Sequence, residues 1–169
     1  MAVAYWLIPA EPQRELFREI VSILAQQHGA PLFEPHMTLL VARQNEKKAA
    51  KLLRAVKASP VRLKIRSVES SSKFTKSLFV RLISNKSLDD LTGMLTPASG
   101  PRFNPPRDPH MSFLYKKLPA AVKRELAATI KLPFREITFD SIKAVRCVAP
   151  TTTQREVEAW RVIATKHLR

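Results

Sequence analysis

The chain has 169 residues, of which 45% are apolar and 25% charged, and this composition excludes an intrinsically disordered protein. Twenty-nine Lys and Arg against fourteen Asp and Glu give a formal net charge of +15, which favours an anionic partner such as a nucleotide, a nucleic acid or a phosphate. The single cysteine excludes an internal disulfide, and no Cys or His spacing is typical of a zinc finger.

The N-terminal apolar segment does not have the pattern of a secretion signal. Residues 2–10 are short, have no basic residue before them, and are followed at once by Pro12 and Arg14. No run approaches the roughly 20 apolar residues that a membrane span requires. We therefore expect a cytoplasmic protein, monomeric and without a membrane partner.

Two strand-helix units begin the chain. Residues 3–8, "VAYWLI", predict a short buried strand, and apolar residues at helical spacing from residue 11 predict a helix that ends at Gly29. Residues 36–41, "HMTLLV", predict a second strand. Asn45 is placed to cap the helix that follows it.

The middle of the chain begins with a strictly alternating segment at residues 60–68, "PVRLKIRSV". It predicts a half-buried strand with an apolar face and a basic face, the latter formed by Arg62, Lys64 and Arg66. A strand over residues 77–84 and a short helix over 86–96 follow. Four prolines in residues 99–109 then break regular structure.

The last third repeats the same order of elements. Residues 110–115, "HMSFLY", predict a strand, and residues 118–130 predict a helix. Residues 135–149 are typical of one bent strand or two short ones. The tail, residues 156–168, fits either a helix or a strand, and we predict a strand because Trp, Val, Ile and Thr favour it.

One motif occurs twice in a chain that has only four histidines. Residues 34–41 read "EPHMTLLV", and residues 108–115, 74 positions later, read "DPHMSFLY". Each copy follows a loop containing Gly, Pro and Phe, and each precedes a helix. This weak internal duplication predicts two pseudo-equivalent lobes that face one another within a single domain spanning residues 1–169.

Strand alternation separates the members of each motif. His36 and Thr38 share one face of their strand while the intervening methionine points the other way, and His110 and Ser112 do the same. The apolar members can anchor each strand in a core. Two such strands brought together would place two imidazoles and two hydroxyls around one cavity.

That set of side chains suits displacement at phosphorus. Imidazole has an unperturbed pKa near 6.5, so one histidine can act as general base and the other as general acid. The hydroxyls can donate hydrogen bonds to oxygens that gain negative charge in the transition state. A base that activates water and an acid that protonates the leaving oxygen require neither a metal nor a cofactor.

The paired His-x-Thr/Ser elements resemble those of the 2H phosphoesterase superfamily. Residues 4–9, "AYWLIP", and residues 74–80, which contain "F-x-x-S-L-F-V", most resemble its plant- and yeast-type cyclic phosphodiesterases. The resemblance implies an α+β fold of two pseudo-symmetric lobes, with antiparallel sheets flanking a central cleft. It also implies metal-independent opening of ADP-ribose 1″,2″-cyclic phosphate or of nucleoside 2′,3′-cyclic phosphates to a monophosphate ester.

The resemblance also implies roles for individual residues. His36 and His110 would be catalytic, and Thr38 and Ser112 would bind the phosphate. Tyr115 matches a tyrosine near the substrate in that subfamily. Strict alternation puts Tyr115 on the face opposite His110, so such a role requires a bulge or twist in the strand.

Phe74 is a second candidate for contact with the substrate. It lies between Lys73 and Lys76, and aromatic and basic residues together are typical of sites for single-stranded nucleic acid. A loop aromatic that closes over the core explains Phe74 equally well. The remaining histidines, the tryptophans and the cysteine are interpreted as structural or incidental: His28, His167, Trp6, Trp160 and Cys147.

Basic residues are concentrated between Lys47 and Arg81, where eleven Lys and Arg accompany one acid. A solvated helix face and an exposed strand face explain most of this charge, and an RNA-tracking surface is the alternative. RNA therefore stays open as a partner besides a cyclic-phosphate nucleotide. The alternatives to a small-molecule phosphodiesterase are an RNA-end 2′,3′-cyclic phosphodiesterase or 2′-5′ ligase-like enzyme, and a non-catalytic RNA-binding module.

Overall fold

The computed structural model describes residues 1–98 and 108–169, so most of the predicted proline-rich break lies outside the described residues. The elements in chain order are β1 (Ala2–Pro9), α1 (Gln13–His28), β2 (Met37–Ala42), α2 (Glu46–Ala55), β3 (Val61–Ser70), β4 (Leu78–Ile83), α3 (Lys86–Leu95), β5 (His110–Leu114), α4 (Ala120–Thr129), β6 (Glu136–Cys147), α5 (Gln154–Glu158) and β7 (Arg161–His167). Short turns of 3-10 helix lie at Phe74–Lys76 and Thr96–Ala98.

The seven strands form an antiparallel arrangement of two four-stranded halves. In one half the C-terminal part of β6 pairs with β1 and β7, and β1 also pairs with β2. In the other half the N-terminal part of β6 pairs with β3, followed by β4 and β5. The α+β class and the two lobes are therefore as predicted. The two halves form one seven-stranded sheet, because the 12-residue β6 runs through both and β2 pairs with β5.

Strand β1 is buried along its whole length. Val3, Tyr5 and Leu7 belong to the large hydrophobic cluster under the helices. Its even-numbered residues form a second cluster with β6, consisting of Ala2, Ala4, Trp6, Ile8, Val145 and Cys147. A strand buried on both faces reads as a continuous apolar run, which is why the sequence does not show which face is which.

The helix ends follow the predicted signals. Gly29 has a φ of 58° and ends α1 with its N–H bonded to the Ala25 carbonyl, a left-handed conformation that suits glycine. The Asn45 side chain accepts a hydrogen bond from the Lys48 amide at 2.9 Å and so caps α2. These local signals were sufficient to place both helices.

The tail is only partly as predicted. Instead of one strand over residues 156–168, the short helix α5 comes first, and β7 begins at Arg161. The helix starts with a capping box in which the Thr153 side chain and the Glu156 side chain each bond to the other's backbone amide. The signal Thr-x-x-Glu was present in the sequence. Residues 136–147 form one strand rather than two.

None of the helices in the described part of the chain combines the length and apolar character needed to cross a membrane.

Candidate active site

Both histidine motifs contribute to one cavity of about 290 Å³. His36, Thr38, His110 and Ser112 all line it, as the duplication predicted. The rest of the lining is contributed by β1, by Val41 of β2, by the end of β6 and the segment after it, and by Thr75, Tyr115 and Trp160.

A single bridge explains why the two motifs meet. Met37 of β2 pairs with Met111 of β5 in antiparallel register, and both side chains are buried in the main core. In antiparallel pairing, a step forward on one strand is a step back on the other. Extending the register by one residue each way places His36 opposite Ser112, and Thr38 opposite His110. Each imidazole therefore faces the hydroxyl of the other motif.

Backbone carbonyls orient both imidazoles in the same way. Nδ1 of His36 lies 2.6 Å from the Glu34 carbonyl oxygen, and Nδ1 of His110 lies 2.8 Å from the Asp108 carbonyl oxygen. A carbonyl oxygen only accepts hydrogen bonds, so Nδ1 carries the proton in both rings. Nε2 is then the nitrogen that changes protonation. It can accept a proton when the ring is neutral, or donate one when the ring is charged.

The acidic residue before each Pro-His pair is held by cations. Glu34 accepts from Nζ of Lys143 at 2.6 Å. Asp108 forms ion pairs with Lys76 and Arg81. These contacts anchor the two backbone segments whose carbonyls orient the histidines.

The pKa of Asp108 reflects opposing effects: burial raises it, but the ion pairs with Lys76 and Arg81 lower it overall. Arg81 is held in turn by Glu69, which accepts from its Nε at 2.6 Å. The acid beside His110 therefore belongs to a charged network that extends across β4 to β3.

An aromatic ring from the neighbouring strand accompanies each histidine. Trp6 stacks on His36 with ring centroids 3.8 Å apart and an interplanar angle of 12°. Phe79 meets His110 edge-on, with centroids 5.5 Å apart. Trp6 pairs with Thr38 and Phe79 pairs with Ser112, so the two aromatics occupy equivalent positions in the two halves.

The two imidazoles differ in burial. His36 is 5% exposed, and burial lowers its pKa to about 4, with the Glu34 carbonyl opposing the shift and the nearby His110 adding to it. His110 is half-buried, and burial also lowers its pKa, with the Asp108 carbonyl opposing and Lys76 adding to the shift. Both rings are therefore biased towards the neutral form.

Tyr115 lies in the cavity because β5 contains a bulge. Leu78 pairs with Leu114 but the next residue of β4, Phe79, pairs with Ser112, so Phe113 is the extra residue. The bulge reverses the alternation and brings Tyr115 to the side of Ser112. Burial raises the pKa of Tyr115 while its contact with Ser112 opposes this, so the phenol stays protonated and its O–H can donate a hydrogen bond to an anion.

The other half has a bulge at the equivalent place. Tyr5 pairs with Leu40 and Trp6 with Thr38, which leaves Leu39 as the extra residue of β2. The internal duplication therefore extends to an irregularity of the backbone. No residue pattern in the sequence indicated either bulge.

The hydroxyls have different surroundings. Ser112 Oγ donates to the Thr75 carbonyl at 2.7 Å, while Thr38 is partly exposed. A serine hydroxyl has one proton, so Ser112 must exchange this partner before it can donate to a phosphate oxygen.

Phe74 lies beside Tyr115, with ring centroids 6.2 Å apart, and the cavity wall at this point is Thr75. The ring that stacks on Tyr115 is instead Phe33, at 3.9 Å. Phe33 belongs to the loop before the first motif. Its position gives Tyr115 an aromatic support that we had not predicted.

Sequence reasoning assigned both tryptophans to the core, but both line the cavity. Trp160 lies 5.8 Å from His36 and 5.7 Å from Tyr115 between ring centroids. Its Nε1 is buried and has no hydrogen-bond partner among the described residues. Trp6 was not predicted to line the cavity because the continuous apolar pattern of β1 does not show which face it lies on. Trp160 was not predicted because it lies in the short turn between α5 and β7, a segment that we predicted as strand.

The described residues contain no group of three or more His, Cys, Asp and Glu side chains arranged to hold a metal ion.

Comparisons with known proteins agree with this architecture. The sequence matches the family described as cyclic phosphodiesterase-like protein over residues 1–168. Among solved structures, TT0787 of Thermus thermophilus is similar with a TM-score of 0.62 and 18% identity, covering 100% of this chain and 98% of that one.

LigT of E. coli is similar in its complex with 3′-AMP, with a TM-score of 0.57 and 14% identity over 98% of this chain and 96% of that one. Its complex with ATP has a TM-score of 0.53 and 18% identity, with the same coverage of both chains. No curated protein matches the sequence of this chain.

Proposed function

Because the chain belongs to the cyclic phosphodiesterase-like family of 2H phosphoesterases, matched over residues 1–168, we propose that it opens cyclic phosphates with His36 and His110 as the acid-base pair. The observation that carries this proposal is the presence of both imidazoles in one cavity, each with Nδ1 bonded to a carbonyl and Nε2 left to exchange protons. Since the site takes one histidine from each half, we further propose that residues 1–169 act as one domain.

The reaction balances with water as the only co-substrate. One neutral imidazole accepts a proton at Nε2 from water, whose oxygen forms the new bond to phosphorus. The bond between phosphorus and one ribose oxygen breaks, and the other imidazole, protonated, donates its Nε2 proton to that oxygen. The product is a monophosphate ester with a free hydroxyl, and proton exchange with solvent restores the pair.

Binding of the anionic substrate favours the protonated imidazole that the reaction needs as its general acid. Both histidines have lowered pKa values in the free protein, and a phosphate placed between them would raise these values because opposite charges favour the charged imidazole. Thr38, Ser112 and Tyr115 would then donate hydrogen bonds to the oxygens that do not leave, where charge develops. We propose no metal role, because the two imidazoles supply both proton transfers.

The substrates we propose are ADP-ribose 1″,2″-cyclic phosphate and nucleoside 2′,3′-cyclic phosphates. The aromatic rings of Trp6, Trp160 and Tyr115 around the cavity support a nucleotide, since nucleic-acid bases stack on rings of this kind. The E. coli LigT structures with 3′-AMP and ATP support nucleotide binding by this fold.

The test is hydrolysis of both substrate types in excess EDTA, with products resolved. We expect turnover in EDTA by the wild-type protein and its loss in His110→Ala. Turnover that requires an added divalent metal would contradict the mechanism. The absence of turnover with every cyclic phosphate, including oligonucleotides that end in one, would leave the non-catalytic RNA-binding module as the explanation.

A further inference from the structure

We infer that a second site, a basic groove on the strand face that continues from His110, binds the phosphodiester chain of single-stranded RNA whose terminal cyclic phosphate lies between the histidines. The inference rests on the proposed function and specifies its substrate class. The groove is a cavity of about 900 Å³ lined by residues of β3, β4 and β6 and the segment before β6. It is separate from the 290 Å³ histidine cavity.

Strand register places the groove on the same sheet face as the active site. Arg81 of β4 pairs with His110, and Ile83, two residues further along β4, therefore points to the same face. Ile83 pairs with Lys64 of β3, which pairs in turn with Glu136 of β6. This row lies about 7 Å along the strands from the row that contains His110.

The next row extends the groove in the same direction. Arg62 pairs with Thr138, and both line the groove. It lies about 14 Å from the His110 row by the same strand spacing. Arg135 is fixed beside them because its carbonyl accepts a hydrogen bond from the Ile65 amide at 2.8 Å. Among the described residues, the rows from His110 to Arg62 therefore share one face of the sheet.

The charge of the groove suits a polyanion. Arg62, Lys64 and Arg135 are exposed and line it, against a single acid, Glu136. None of these three basic side chains forms a salt bridge with the residues that the structure describes. Exposed cations without carboxylate partners are available to phosphates, and their counterions are released on binding.

Apolar groups lie between the cations. Ile83 is 48% exposed, and Phe134 is partly buried at the groove wall. Single-stranded nucleic acids are bound by basic grooves that also offer apolar or aromatic surfaces to the bases. RNA is the matching polymer because a terminal 2′,3′-cyclic phosphate requires the ribose 2′-hydroxyl. That cyclic phosphate is at the 3′ end, so the groove would bind phosphates on its 5′ side.

The structure also divides the basic stretch between Lys47 and Arg81 into two surfaces. Arg62 and Lys64 lie in the groove, whereas Lys47, Lys48 and Lys51 are exposed on helix α2, which packs against β6 and β7. Net charge alone would predict that both surfaces attract RNA equally. The groove makes only one of them part of the substrate path.

The experiment compares two triple variants with the same loss of charge: Arg62→Gln/Lys64→Gln/Arg135→Gln in the groove, and Lys47→Gln/Lys48→Gln/Lys51→Gln on α2. The probe is a fluorescently labelled single-stranded RNA of about ten nucleotides with a 3′-phosphate, which is long enough to fill such a site. Its dissociation constant is measured by anisotropy from about 50 to about 200 mM salt, together with turnover of 2′,3′-cyclic AMP.

We expect the groove variant to bind the RNA more weakly and to have a log-log salt slope smaller by about 2, because single strands contribute about 0.7 per phosphate contact. The α2 variant should retain the wild-type slope, and both variants should retain turnover of the cyclic mononucleotide.

Equal effects of the two triples, or no effect of either, would overturn the inference. A different result would contradict the proposed function: no turnover of any cyclic phosphate by the wild-type protein. Because binding is measured with a phosphorylated RNA and not by turnover, the groove is tested in either case.

Discussion

The two histidine motifs share their backbone geometry but differ in environment. In both, a proline precedes the histidine, a carbonyl two residues back accepts from Nδ1, and a bulge follows the hydroxyl residue. Yet His36 is nearly inaccessible and covered by a stacked tryptophan, whereas His110 is half-buried and touched by Phe79 edge-on. Duplicated geometry thus holds two imidazoles whose pKa values are both lowered, chiefly by burial.

The charged neighbours differ as well. Glu34 pairs with one lysine, while Asp108 pairs with Lys76 and with Arg81, which also binds Glu69. The His110 half is therefore the one that is connected to the basic face of the sheet. It is also the half from which the proposed RNA groove extends.

The largest effect should come from removing either imidazole. We expect His36→Ala and His110→Ala each to lower kcat by about 10² to 10⁴, because each removes one proton transfer. The double variant should be little worse than the less active single variant, since the two act as a unit. His167→Ala, an exposed histidine on β7, is the matched control and should retain wild-type kcat. Full activity in either catalytic variant would exclude the paired mechanism.

The next effect should come from the hydroxyls. Thr38→Ala and Ser112→Ala should each lower kcat by roughly 10 to 10³, because each removes a hydrogen bond that strengthens in the transition state. Thr38→Ser and Ser112→Thr, which keep the hydroxyl, are the matched controls and should recover most of the rate. Steady-state kinetics decides: a rise in KM alone would show that the hydroxyls bind substrate and transition state equally.

The difference in burial should be visible in stability. His36 has a pKa of about 4 in the folded protein and near 6.5 in the unfolded chain. Between these pH values, His36 is therefore protonated in the unfolded chain but neutral in the folded protein. The free energy of unfolding should therefore be highest above pH 6.5, the pKa of His36 in the unfolded chain. It should fall by about 2 to 3 kcal/mol as the pH drops towards 4.

Urea unfolding across this pH range tests the point. His36→Asn should flatten the dependence more than His110→Asn, because His36 is the more buried. An equal flattening in both variants would contradict the asymmetry.

The smallest effect should be a shift of the pH-rate profile. Since both histidines have lowered pKa values, kcat/KM should follow a bell centred below pH 6.5. Trp6→Leu admits water to one face of His36, which should raise the pKa of His36. One limb of the bell should therefore move to higher pH. Phe79→Leu should move the profile less, because His110 is already less buried than His36. A profile flat from about pH 5 to 9 would count against two titrating imidazoles.

Much of the fold could be predicted because its signals are local. Alternation placed Val61, Leu63 and Ile65 on one face, and Asn45 and Gly29 marked the ends of helices through their own side chain and backbone. The four motif residues could be identified because the motif occurs twice. A repeated pattern of reactive residues carries information that a single histidine does not.

Tertiary contacts decided the rest of the site. Tyr115 reaches the cavity through a bulge. Trp6 faces His36 rather than the main core, and the sequence concealed this because packing buries both faces of β1, one in the main core and the other in the second cluster. The sequence already assigned the basic residues to a helix face and a strand face. Only the register of β3, β4 and β6 shows that Arg62 and Lys64 share a face of the sheet with His110. Residue type and spacing determine which way a side chain points from its own strand. What lies opposite depends on contacts between residues far apart in the chain, which local patterns do not encode.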